Sequence, residues 1–176
     1  DMTLFRQAIW CQRLSAAFRP LAGTPEGRHG LSVSGLIGDE LHEWVDGEAY
    51  RVLHESEGAR AEPIEFLVST AGVRGRGYGW EVWEECQAIL DGRMADDETL
   101  VVIYGADAGD DWTDEAVWRK ANPNLGVSLN LDFLRGEAKR AADNPRLENR
   151  FRNYFLNQWT EQTTRWLPMA TWDNAP

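Results

Sequence analysis

Leu36-Ile37-Gly38-Asp39-Glu40-Leu41-His42 is the stretch whose reading decides the fold. Apolar residues run from Leu31 towards Gly38 and stop at two adjacent carboxylates, the pattern of a strand with acids at its C-terminal end. Ser32, Ser34, Gly35 and Gly38 dilute the run, whereas a central parallel strand is usually continuously apolar. In an open α/β sheet, ligands bind beyond the carboxyl ends of the strands. Adjacent residues there point different ways, so Asp39 can serve a metal shell while Glu40 reaches a water. The competing reading is a solvated acidic loop.

Working outward, Glu48 to Glu57 fits a helix with Tyr50 and Leu53 on one side. Ile64 to Val68 reads as a second buried strand, ending at Ser69-Thr70-Ala71-Gly72. Small hydroxyl residues at a strand end can hydrogen-bond towards a phosphate or a catalytic carboxylate, although ordinary capping favours them too. A glycine-rich loop follows, then a helical pattern from Tyr78 to Leu90 with Val82 or Trp83, Cys86, Ile89 and Leu90 inward. Leu100 to Tyr104 reads as a third strand. Strand–helix–strand–helix–strand implies a parallel sheet with crossover helices. Upstream, residues 5–21 fit either a short hairpin or a helix followed by a strand, and Gly23-Thr24-Pro25-Glu26-Gly27 is a loop by composition.

Beyond Asp111 the pattern turns helical. Thr113 is placed to cap a helix whose first turn carries Asp114 and Glu115, and Asn122-Pro123 must stop it. Asn130 caps the next, with Leu131, Leu134, Ala138 and Ala141 inward. Asn144-Pro145 opens a third, with Leu147, Phe151, Tyr154 and Phe155 as one stripe and Arg146, Arg150 and Arg152 mostly off it. The tail from Trp159 is Trp-rich and irregular.

Composition narrows the classes. At 176 residues and 43% hydrophobic, with nine Trp, the chain can bury a real core. No apolar run approaches the ~20 residues that span a bilayer, and no N-terminal signal pattern is present. Asp1-Met2 does not look like a natural beginning, which points to a segment of a longer chain. The net charge of −11 argues against a whole-surface DNA binder but leaves a local patch possible. Cys11 and Cys86 read as free thiols, and His29, His42 and His54 are too scattered for a zinc finger. These features fit a reducing, cytoplasmic setting.

In P-loop nucleotide-hydrolysing folds, a strand ending in Asp-Glu delivers the Asp to the magnesium shell and the Glu to the attacking water. Asp39-Glu40-Leu41-His42 matches the D-E-x-H box of superfamily 2 helicases, and Ser69-Thr70-Ala71 is close to their coupling motif. Further words decide between families: Gly38 to Trp44, Ile103-Tyr104, Asp110-Asp111-Trp112-Thr113, Trp118-Arg119-Lys120-Ala121-Asn122-Pro123-Asn124-Leu125-Gly126, Phe151 to Trp159, and Trp166-Leu167-Pro168. With these the chain resembles the large terminase subunit of tailed bacteriophages, the motor that packages DNA into capsids. The 118–126 block is long, and helicases lack it.

The resemblance implies a partial P-loop NTPase (ASCE-type) parallel sheet followed by a small helical linker subdomain. Residues 1–111 would be a partial ATPase domain, 112–165 the helical linker or lid, and 166–176 the start of a connection to an RNase H-like nuclease. The nuclease acids would lie beyond Trp172-Asp173. By carry-over, Asp39 would be the Walker B acid near Mg2+ and Glu40 the carboxylate that activates water. Ser69, Thr70 and Ala71 would couple nucleotide state to motion. The matching stretch for an arginine finger reads Arg28-His29-Gly30, so Arg28 would take that role; Arg74 and Arg76 compete on proximity but read better as solvated loop residues. The implied cofactors are ATP and Mg2+. The implied partners are double-stranded DNA, the portal protein, the small terminase subunit and further copies in a homo-oligomeric ring, in the host bacterial cytoplasm with no membrane attachment.

Departures from the pattern matter. The sequence has no G-x-x-x-x-G-K-[ST] and no Gly-Lys dipeptide, so the phosphate cradle is missing. Gly38 stands where Walker B normally has a bulky apolar residue. The segment alone is therefore expected to be inactive, and Ile64–Val68, without a Walker A strand beside it, is expected to be an aggregation-prone edge. The alternatives are a D-E-x-H helicase-like ATPase and an inactive prophage remnant.

Overall fold

Two four-residue strands set the frame. In the computed structural model, which describes residues 2–21 and 30–162, β4 (Gly35–Gly38) pairs in parallel with β5 (Ile64–Leu67). The register sets Leu36 opposite Glu65 and Gly38 opposite Leu67. Alternation along the strands puts Leu36 and Gly38 inward, while Ile37, Ile64 and Phe66 are exposed on the other face. β4 is shorter than the Leu31–Gly38 run: pairing covers only its last four residues.

Helix α1 (Glu48–Glu55) forms the crossover, burying Ala49 and Leu53. A 3-10 turn over Ser56–Ala59 continues it. Helix α2 (Gly77–Leu90) packs on a second 3-10 turn, Leu41–Glu43, directly after the Asp-Glu pair. Gly79 makes that approach possible. A Cβ there would lie 2.7 Å from the Leu41 carbonyl and the His42 nitrogen. Leu90, expected inward, is 54% exposed at the helix end.

Leu100–Tyr104 corrects the sequence reading. It forms no strand, and Leu100 and Val102 are exposed. Its apolar composition fits a strand, but a strand needs a partner, and none of the described residues supplies one. The end of this segment is instead tied to the helical part: the Asn157 Nδ2 donates to the Tyr104 carbonyl at 2.7 Å. The open choice over residues 5–21 resolves into an antiparallel meander, β1 (Met2–Phe5), β2 (Ala8–Cys11) and β3 (Ala16–Phe18). A 3-10 turn, Gln12–Leu14, separates the last two strands.

The helical part follows its caps. Helix α3 (Glu115–Ala121) is capped by Asp114, whose carboxylate accepts the Ala116 N–H, and not by Thr113. The Thr113 hydroxyl is occupied, donating to Asp111 at 2.7 Å. Asn130 caps α4 (Leu131–Asp143), and Asn144 with Pro145 opens α5 (Pro145–Leu156). Trp118, Leu134, Ala138, Ala141, Phe151 and Leu156 close the main core, with Trp112 and Trp118 meeting Phe151 edge-on at 5.6 and 6.0 Å. Leu134 is 0% exposed. Leu134→Ala should lower the unfolding free energy by ~3 kcal/mol through lost burial plus a cavity. Urea unfolding of the 176-residue chain checks this, and a shift below ~1 kcal/mol would mean that the site collapses around the smaller side chain.

Candidate functional site

Asp39 and Glu40 leave the C-terminal end of β4, both exposed. Glu40 sits in the left-handed region, φ 55° and ψ 46°, as the residue before the Leu41–Glu43 turn. That conformation costs a non-glycine residue about 1–2 kcal/mol. Two contacts hold the bend: the Glu40 N–H donates to Asp39 Oδ1 at 2.9 Å, and the Trp44 indole N–H to the Asp39 carbonyl at 3.0 Å.

Past the bend, His42 is the organising side chain, 6% exposed. Its backbone N–H donates to Ser69 Oγ at 3.0 Å, and Nδ1 lies 3.1 Å from Ser69 Oγ and 3.3 Å from Thr70 Oγ1. The same Nδ1 is 3.2 Å from Glu40 Oε2, and Nε2 is 3.2 Å from Glu43 Oε1. One imidazole thus joins the carboxylate after β4 to both hydroxyls after β5. Ala71, the third letter of the Ser-Thr-Ala word, is buried. Sequence reasoning gave His42 and Glu43 no role, although His42 was visible as the fourth letter of the D-E-x-H word.

The site is also stitched to the helical part. Tyr154 of α5 donates its hydroxyl to Glu43 at 3.4 Å and meets the His42 ring edge-on at 5.7 Å. Asn153 Nδ2 donates to the Gly72 and Gln158 carbonyls, both at 2.8 Å. The Thr160 N–H donates to the Gly72 carbonyl, and Trp159 packs against Trp80 and Trp83. Asn153, Tyr154 and Trp159 lie in the Phe151–Trp159 word, where spacing alone gave only a helix stripe and a tail. Asn153→Ala should cost ~1–3 kcal/mol, because buried carbonyls lose their donor. An unchanged denaturation midpoint would show that the Thr160 contact suffices.

Among the remaining sequence candidates, Arg28 lies outside the described residues. Arg74 pairs with Glu161 at 3.2 Å, and Arg76 precedes α2 on the exposed surface. Neither is drawn towards Glu40. Arg146 and Arg150 are exposed, while Arg152 pairs with Glu148 at 2.8 Å. Cys11 and Cys86 are free and half-buried. No helix among the described residues is long and apolar enough to cross a membrane.

An Asp-Glu pair at the end of one parallel strand is joined through His42 to the Ser-Thr-Ala end of the next, in an α/β fold. Comparison with known proteins gives the family. The family model for the terminase large subunit ATPase domain matches residues 2–86, and the model for the terminase large subunit endonuclease domain matches residues 93–176. The chain belongs to the terminase large subunit family. Protein YmfN of Escherichia coli (strain K12) is 35% identical over 146 residues, 83% of this chain and 32% of that protein. The terminase large subunit of Enterobacteria phage HK97 is 26% identical over 160 residues, 89% of this chain and 30% of that protein. The fold is similar to the crystal structure of the HK97 bacteriophage large terminase, with a TM-score of 0.78 at 22% identity over 90% of this chain and 33% of that one. The chain spans about a third of the length of the curated relatives it matches.

Proposed function

We propose that this chain forms the hydrolysis-and-coupling part of a viral DNA-packaging motor, followed by the helical linker that leads towards a nuclease. The observation that carries this reading is the His42 network, which joins Glu40, Ser69, Thr70 and, through Glu43 and Tyr154, helix α5. A change at the Glu40 carboxylate has a short route through that network to the linker.

In this proposal Glu40 would orient the attacking water and accept its proton, and Asp39 would help to hold Mg2+. Bound Mg2+ and ATP would supply the electrophilic phosphorus and the charge neutralisation. The exposed carboxylates fit the metal-and-water end of such a nucleotide. The phosphate grip has no counterpart in this sequence, so we assign it to a strand elsewhere in the parent protein. That strand would lie along the open edge of β5 and would give the unpaired Leu100–Tyr104 segment a neighbour. Residues 112–165 are assigned to the linker: among the described residues from 93 onward there are three helices and no strand. Arg28 remains the proposed arginine finger. Double-stranded DNA, portal protein, small terminase subunit and a ring of identical subunits are the proposed partners, in the host cytoplasm.

The test uses the full-length parent protein with linear duplex DNA, portal-bearing capsids and Mg-ATP. Nuclease-protected DNA accumulating with ATP consumption is the expected result. Strand separation of a duplex without encapsidation would favour a helicase instead. Neither activity, in a full-length protein that binds ATP, would favour an inactive remnant.

A further inference from the structure

A second constellation lies away from the Asp39-Glu40 pair, where the end of α1 meets β5. His54 lies in the last turn of that helix, Glu57 falls three residues later in the 3-10 turn, and Glu65 comes from β5. Spacing of three along a continuous helical path puts His54 and Glu57 on one face. The β4–β5 register sets Glu65 opposite Leu36, towards the N-terminal end of the strand pair, whereas Asp39 follows the C-terminal end. One ligand atom from each of His54, Glu57 and Glu65 lies within 4.8 Å of the other two. Ligands about 2.1 Å from a common ion lie roughly 3–4 Å from one another, so the cluster needs only a small contraction to close on one.

Glu57 is what separates this group from an ordinary acidic surface patch. It is 5% exposed, and its Oε1 is buried with no hydrogen-bond partner among the described residues. Burying an uncompensated carboxylate oxygen is costly, and beside a second carboxylate the cost rises. The other members are already oriented: His54 Nδ1 is 2.9 Å from Glu65 Oε1, and the Tyr50 hydroxyl donates to Glu65 Oε2 at 2.7 Å. Tyr50 also stacks on the His54 ring, at 5.5 Å between centroids. A phenol steadying a ligating carboxylate is the kind of outer-shell support that metal sites use.

We propose that His54, Glu57 and Glu65 form a structural site for a divalent first-row transition metal, clamping α1 and its 3-10 extension to β5. One imidazole with two carboxylates suits Zn2+ or Mn2+ better than Mg2+, which prefers oxygen ligands. The exposed side of His54 leaves a position open to water. The clamp is distinct from the proposed hydrolysis site and does not depend on it.

The test titrates the chelator-stripped full-length parent protein with Zn2+ in a large excess of Mg2+, which masks loose carboxylate clusters. The expected result is one tight Zn2+ per chain that the His54→Gln variant lacks, and a rise in Tm at saturation that the same variant loses. Glu57→Gln and His54→Gln should each weaken binding by about tenfold or more. The His54 side chain is 58% exposed, so His54→Gln spares the fold even if Glu57→Gln does not, and circular dichroism checks both. Equal Zn2+ affinity in the wild type and a folded His54→Gln variant would overturn the site. So would no saturable binding by the wild type, which would leave Glu57 and Glu65 sharing a proton.

Discussion

Glu40→Gln in the full-length parent protein is expected to abolish ATP turnover while leaving ATP binding nearly intact. The amide has the shape of the carboxylate but cannot accept a proton from water. Loss of a positioned general base costs typically about 10²–10⁴-fold in rate. The backbone bend at residue 40 is held by the Glu40 N–H and the Trp44 indole, so the substitution leaves the geometry in place. Single-turnover hydrolysis and nucleotide binding, measured side by side, separate the two effects. ATPase activity within a few-fold of wild type would remove Glu40 from the mechanism and return the pair to a solvated acidic loop.

Gly79→Ala is expected to damage both stability and hydrolysis, against the usual direction of a glycine-to-alanine change in a helix. Helix propensity alone would favour alanine by about 1 kcal/mol. Here the added methyl would sit 2.7 Å from the Leu41 carbonyl carbon and oxygen and the His42 nitrogen. These are backbone atoms, so no side chain can swing aside. Overpacking of this kind costs about 1–3 kcal/mol, and relief comes only by pushing the Leu41–Glu43 turn away from α2. That motion draws His42 from Ser69, and the full-length protein should lose ATPase activity beyond what its lower stability explains. Gly136→Ala is the control: it lies in α4 with nothing within 4 Å of a new Cβ, and should raise stability by ~0.5–1 kcal/mol. If both substitutions raise Tm, the contact between α2 and the turn is looser than 2.7 Å implies.

What the sequence revealed depended on how local each determinant was. Asn130 and Asn144-Pro145 act within a single turn, and both open their helices as expected. Thr113 and Asp114 are adjacent and both cap well. The choice went to Asp114 because Asp111 engages the Thr113 hydroxyl, a competition that composition does not display. The two parallel strands were legible because each ends in a chemical signature. The third was not, because apolar character is shared by any segment awaiting a partner, and Leu100–Tyr104 has none among the described residues. In the candidate site, Asp39, Glu40, Ser69 and Thr70 were readable as strand-end chemistry. Their joining through His42, Glu43 and Tyr154 was not, since it spans 27 to 111 residues of chain.

In the role proposed for Glu40, its left-handed backbone sets folding against use. Glycine adopts that conformation without penalty, and asparagine tolerates it better than glutamate. Glu40→Gly should therefore yield a sturdier protein that hydrolyses nothing. Without selection for turnover, nothing would hold this position at glutamate. A glutamate kept at residue 40 across related genomes would record selection for work done, and its replacement would date the point at which a copy fell out of service.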